Sequence, residues 1–311
     1  MQPSDLETLL KQVGKTREVS IPPEFREHIE AIIPQLRALR RHRHSTARRG
    51  ALLALLHLGG EAALEQADLA ALLRLVRIKA TRDAPYAFDA CFNSWLTVRG
   101  GDQRGIMRVL GLTDAVPATY PLGEILVSHL SHGGPSRQET FDHVFMSPEL
   151  NGWTVIRGSS CDPDESPRVA AWVERLSDEY GQAQAYFYGS QADGDAWLVG
   201  EQGRIIRRYS SNQPKTSFGS PLPIEQHWLK YHGLPAPAEQ LLDDKNESFI
   251  DSVLDYMSDC SAPVMAAELS IDPVWGRNWP WPLQIRGNAL IARTAAGVQQ
   301  SVLRGCYDFA I

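Results

Sequence analysis

Ala183, Ala185 and Phe187 alternate with Gln184, Tyr186 and Tyr188, the period of two that gives a strand two unlike faces. Asp193-Gly194 offers a turn, Ala196 to Val199 resumes the pattern, Gly203 breaks it, and Ile205 to Tyr209 ends it. Residues 182 to 209 therefore predict a three-stranded meander. Just upstream, Ser166-Pro167 marks a helix start, and Val169, Trp172, Val173, Leu176 and Tyr180 repeat at helical spacing until Gly181. That helix supplies the covering layer that so small a sheet needs.

The first part of the chain repeats at helical spacing instead. Ser4-Asp5-Leu6-Glu7 has the form of a capping box, followed by Leu6, Leu9, Leu10 and Val13 on one face and Gly14 as a stop,. A second helical pattern runs through Phe25, Ile29, Ile32 and Ile33. Pro34 lacks the amide a continuing helix uses, so a kink or new start is expected there. Ala51 to Leu58 ends at Gly59-Gly60, and Leu64, Leu69, Leu72, Leu73 and Val76 trace another helix to about Ala80,.

Aromatic residues enter near Asp83 with Tyr86, Phe88, Phe92 and Trp95, and Gly100-Gly101-Asp102 caps a short helix carrying Ile106, Val109 and Leu110,. Beyond Pro121, strands are predicted at Ile125 to Leu130, Phe141 to Met146 and Trp153 to Arg157, with Asn151-Gly152 as a hairpin signal,. After the meander come a short helix near Ile224 to Lys230, helices at Ser248 to Tyr256 and Pro263 to Leu269, a turn at Ile271-Asp272-Pro273, and closing strands at Leu283 to Ala292 and Val302 to Tyr307. This order predicts an α+β fold, an N-terminal helical layer (1–82) followed by a mixed or antiparallel sheet with covering helices (83–311), the two packed as one body.

The formal net charge of −6 over 311 residues argues against nucleic acid as the main partner, an idea that only a local basic patch could rescue. Such a run does occur: Arg37, Arg40, Arg41, His42, Arg43, His44, Arg48 and Arg49 straddle a predicted helix junction. It is a solvated helix face or an anion contact. No apolar run reaches the roughly 18 residues of a membrane span, and the charged start MQPSDLETLL is unlike a secretory signal, so a cytoplasmic protein with no membrane partner is expected. Cys91, Cys161, Cys260 and Cys306 stand at long spacings without a CxxC pair, as buried thiols do.

Few residues present themselves for chemistry. His129, His132 and His143 form a loose trio, and Asp162, Asp164 and Glu165 an acidic loop, but neither has a standard metal-ligand spacing, so no metal and no cofactor is expected,. Cys91 with His129 or His143 as base would make a hydrolase or transferase, and no GxSxG or HExxH motif accompanies the pair. The densest oddity is Trp275-Gly276-Arg277-Asn278-Trp279-Pro280-Trp281-Pro282. These indoles either close the end of the sheet or expose an aromatic surface for a partner, and Tyr186, Tyr188 and Trp197 on neighbouring strands could extend it.

The words LLRLVRIKA (72–80), CFNSWLTVRGGDQ (91–103), SPELNGWTVIRG (147–158), LSDEYGQAQAYFYGSQADGDAWLVGEQGRIIRRYS (176–210) and LSIDP (269–273) resemble an uncharacterised family of bacterial, actinobacterial-type proteins. The resemblance implies no activity and no catalytic residue, and the arginine run and the WPWP segment lie outside it. Two functions are expected from these residues. One is a non-enzymatic protein-interaction module, such as an immunity protein that neutralises a bacterial toxin. The other is an enzyme of unfamiliar type with a site between helical layer and sheet near Cys91, Asp102, His129 and His143.

Overall fold

The computed structural model describes residues 6, 8, 10, 11, 13, 28–87, 92–132, 143–190, 194–235, 247–277, 279, 280 and 282–295. These residues group into two compact units. One contains the chain up to Asp83 together with Pro117–Leu126, and the other contains Ala84–Val116 and the residues from Val127 onward.

In the first unit, helices α1 (Ile29–Leu39), α2 (Ser45–Gly59) and α3 (Gln66–Ala80) follow one another, with a short 3-10 turn at Gly60–Ala63 between the last two. Helix α1 runs through Pro34 with no new start. The missing amide would have paired with Glu30, in the first turn of the helix, so one bond near an end is lost and the rest of the ladder stands. Helix α2 buries Ala51, Leu52, Leu53, Ala54, Leu55 and Leu56. An all-round apolar helix of this kind is an inner element.

The second unit is built on a sheet. The remaining elements, in chain order, are β1 (Phe92–Arg99), α4 (Gln103–Leu110), β2 (Thr113–Pro117), α5 (Tyr120–His132, whose residues up to Leu126 belong to the first unit), β3 (His143–Leu150), β4 (Trp153–Arg157), α6 (Val169–Tyr180), β5 (Gln182–Gly189), β6 (Asp195–Glu201), β7 (Arg204–Ser210), α7 (Pro223–Tyr231), α8 (Glu247–Asp259), α9 (Ala262–Leu269), β8 (Ile285–Arg286) and β9 (Leu290–Arg293). Among the described residues the sheet has nine strands in the order β2-β9-β3-β4-β1-β5-β6-β7, with β8 beside β3. Neighbours run antiparallel through the centre of the sheet. The chain is an α+β protein.

The predicted meander is β5-β6-β7. The Asn151-Gly152 signal closes the β3-β4 hairpin at φ 50° and 85°, the pair of positive angles a two-residue turn requires. One expectation fails and one strand was not foreseen. Ile125 to Leu130 lies inside helix α5 rather than in a strand, because an uninterrupted apolar run serves a buried helix as well as a strand. The central strand β1 escapes the alternation test because both its faces are covered: Asn93 to Val98 are all buried, Asn93, Ser94 and Thr97 included,. The predicted strand at 302 to 307, the capping box at 4 to 7 and the helical start through Phe25 lie wholly or partly outside the described residues.

Opposite pleats of the sheet feed separate cores. Leu96, Ala185, Leu198 and Ile156 pack under α4 and α6, against Ile106, Val109, Trp172, Val173 and Leu176. Trp95, Tyr186, Trp197 and Tyr209 pack on the other face under α7, α8 and α9, against Leu229, Val253, Tyr256, Met265 and Ala266.

Candidate functional site

Strand register lines up one row across the second face. Arg157 stands opposite Trp95, Trp95 opposite Tyr186, Tyr186 opposite Trp197, and Trp197 opposite Tyr209. Ring centroids are 5.1 Å apart for Trp95 and Tyr186 and 3.8 Å for Trp197 and Tyr209, both pairs stacked. Pairs of this kind contribute about 0.5–1.5 kcal/mol beyond their burial. Tyr186 and Trp197, expected on an exposed aromatic surface, are therefore core residues with 0 % exposure. Helices α7 to α9 cover the face on which the alternation placed them.

One pleat toward the end of β5 the cover thins. Tyr188 is half-buried, and its ring meets the edge of Trp275 at 5.1 Å and 80°. Trp275 is 39 % exposed, and the Arg277 guanidinium carbon lies 4.5 Å over its ring, within the range of a cation–π contact. Trp279 is half-buried and acts as a brace, its indole N–H donating to the Asp272 carbonyl at 2.7 Å. Trp281 and Asn278 lie outside the described residues.

Asp272 holds this loop. Its carboxylate accepts from the backbone amides of Val274 at 2.8 Å, Trp275 at 3.2 Å and Arg277 at 3.1 Å. Burial raises its carboxyl above the usual range, while these amides and the Arg277 charge pull the other way,. Trp275 and Arg277 are thus presented by a closed turn and not by a loose loop. Sequence reasoning named Tyr188, Trp275 and Trp279 for an aromatic surface; Arg277 and Asp272, which the structure places beside them, were not among its candidate residues. The Ile271-Asp272-Pro273 turn carried the signal, since an aspartate opening a turn accepts from the amides that follow it.

The other candidates occupy structural roles. Asp162 accepts from the Asp164 amide at 2.8 Å, the Glu165 amide at 3.1 Å and Ser94 Oγ at 3.3 Å. Burial first, then the charges of Asp164 and Glu165, push its carboxyl up to about 6 against the opposing pull of those amides. Asp164 pairs with Arg208 at 3.1 Å and accepts from Ser210. Asp102 accepts from the Gly105 amide as the N-cap of α4, as its sequence context predicts.

Cys161 and Cys260 are buried and unbridged, and burial pushes the Cys161 thiol up to about 12, far from a nucleophile's range. Cys91 and the side chains of His129 and His132 lie outside the described residues, and His143 is buried at the start of β3. Among the described residues no group of three or more His, Cys, Asp or Glu could hold a metal ion, and no helix is long and apolar enough to cross a membrane. An open cleft of about 320 Å³ lies at one end of the sheet, lined by Arg99, Tyr180, Gly181, Gln182, Glu201 and Gln202. Arg99 donates to Gln182 and Gln182 to Glu201 across its floor. No family model, curated protein or solved structure matches this chain.

Proposed function

We propose that this α+β protein acts by binding another protein, and that its contact is the rim formed by Trp275, Arg277 and Tyr188. The observation that carries the proposal is the fixed, solvent-facing Trp275–Arg277 stack over Asp272. Tryptophan, tyrosine and arginine are the side chains most often responsible for interface affinity, and a turn already closed before binding loses little entropy on docking. An immunity protein that neutralises a bacterial toxin is one form of this activity: the net charge of −6 attracts a basic partner at long range, while the rim itself docks by shape and through the Trp275–Arg277 stack,.

The test is capture of a partner from cells that make the protein, at low salt, followed by mass spectrometry. Wild type retains a partner that Trp275→Ala and Arg277→Ala each lose, while Tyr231→Ala, which removes an aromatic ring 72 % exposed elsewhere on the surface, retains it. A wild-type protein that emerges alone, or a partner held equally by all variants, overturns the proposal.

A further inference from the structure

Charge is unevenly distributed along this chain. Between residues 28 and 83, ten arginines and lysines stand against five aspartates and glutamates, an excess of five positive charges in a chain of net charge −6. Residues 28–83 are most of the described part of the first folding unit; over residues 1–83 the count is fourteen against ten, and Glu124 in the same unit leaves an excess of three.

The α1–α2 junction concentrates it. Arg48 donates to the carbonyls of His42 at 2.9 Å and Arg43 at 3.1 Å, and Arg37 donates to the Ala63 carbonyl at 2.8 Å. These bonds fix the loop, but a carbonyl satisfies an N–H without cancelling the guanidinium charge. Arg40 meets a shielded carboxylate, Asp68 at 2.7 Å. The Arg41 side chain is 80 % exposed, and its partner Glu65, at 3.3 Å, is itself 46 % exposed, a pairing that contributes little in water. Arg43 is exposed and forms no ion pair among the described residues. Helix α3 adds Arg74 and Arg77, both exposed, without an ion pair among the described residues, and three residues apart on one face,.

We infer that this basic helical unit binds the phosphate backbone of nucleic acid without sequence selection, through Arg41 and Arg43 at the α1–α2 junction and Arg74 and Arg77 on α3. Arginine forks suit phosphate oxygens, and cations spread over a loop and a helix, each hydrated, match a polyanion of regular charge spacing. Leu75 and Ile78, 38 % and 53 % exposed on α3, are the features an acidic protein partner would use instead, and the experiment separates the two.

The full-length protein is titrated into fluorescently labelled DNA duplex and single-stranded RNA of random sequence at several salt concentrations, and binding is read by anisotropy. Wild type binds both, with log affinity falling linearly in log salt. Arg41→Gln/Arg43→Gln and Arg74→Gln/Arg77→Gln each lower that slope by about two, one per phosphate contact removed. Trp275→Ala leaves it unchanged, which separates this surface from the protein-binding rim. The inference is overturned by absence of binding at low salt, by a slope insensitive to both double variants, or by polyglutamate competing as well as nucleic acid at equal charge.

Discussion

Asp162→Asn isolates the free energy of one desolvated carboxyl. The carboxyl of Asp162 titrates near 6 in the folded protein and near 4 when solvated, a difference of about two units, or about 3 kcal/mol. Because the folded pKa is the higher one, the folded state keeps a proton that the unfolded chain has already lost between about pH 4 and pH 6. Stability from this group is therefore fully present below about pH 4 and falls as pH rises through about 6. Asparagine cannot ionise, yet its Oδ1 can still accept from the Asp164 and Glu165 amides, and its NH₂ can donate to Ser94 Oγ where Ser94 donates now,. Urea unfolding of both proteins at about pH 4 and about pH 7 gives the result, since raised carboxyls away from this turn, such as Asp272, are common to both and cancel in the comparison. The variant should match wild type at the lower pH and exceed it by about 3 kcal/mol at the higher. A difference that is the same at both pH values would refute the claim that burial dominates this group. A variant destabilised at the lower pH would show that the amide cannot replace the carboxyl in the turn.

Glu225→Ala leaves Arg207, which donates to both carboxylate oxygens at 2.7–3.1 Å with side chains 1 % and 0 % exposed, as a buried charge without its partner. Chemical denaturation should show a loss of about 3–5 kcal/mol, and a paired replacement of Arg207 and Glu225 by Met and Leu should recover most of it. Gly50→Ala in α2 should destabilise although alanine is the better helix former by about 1 kcal/mol, because its Cβ would sit 1.9 Å from the Leu10 carbonyl oxygen. Thermal unfolding at a raised rather than lowered midpoint would contradict that close approach.

Some elements could be recognised from their residues alone, for definite reasons. Helix α6 is framed by Ser166-Pro167 and Gly181, and its stripe Val169, Trp172, Val173 and Leu176 is the buried one. The β3-β4 turn needs two positive φ values, and Asn151-Gly152 is the pair that adopts them at least strain,. Strand β1 was illegible because Asn93, Ser94 and Thr97 interrupt any apolar pattern. They are buried only because partners distant in sequence satisfy them: Arg157 for Asn93, Asp162 for Ser94, Gln184 and Ser270 for Thr97. The aromatic site was half legible. Alternation placed Tyr186, Tyr188 and Trp197 on one face correctly, but exposure along that face depends on α7 to α9, which begin well after the strands end.

Local periodicity, caps and turn residues determined the meander, the α+β class and the helices other than α5, because each depends on neighbours within a few positions. The tertiary structure alone decided which aromatic residues are core and which are rim. It also decided that Asp272 fixes Trp275 and Arg277, and that Pro117–Leu126 joins the helical unit that holds the arginine run. Burial and charge environment are sums over residues far apart in the chain, and a one-dimensional pattern does not contain them.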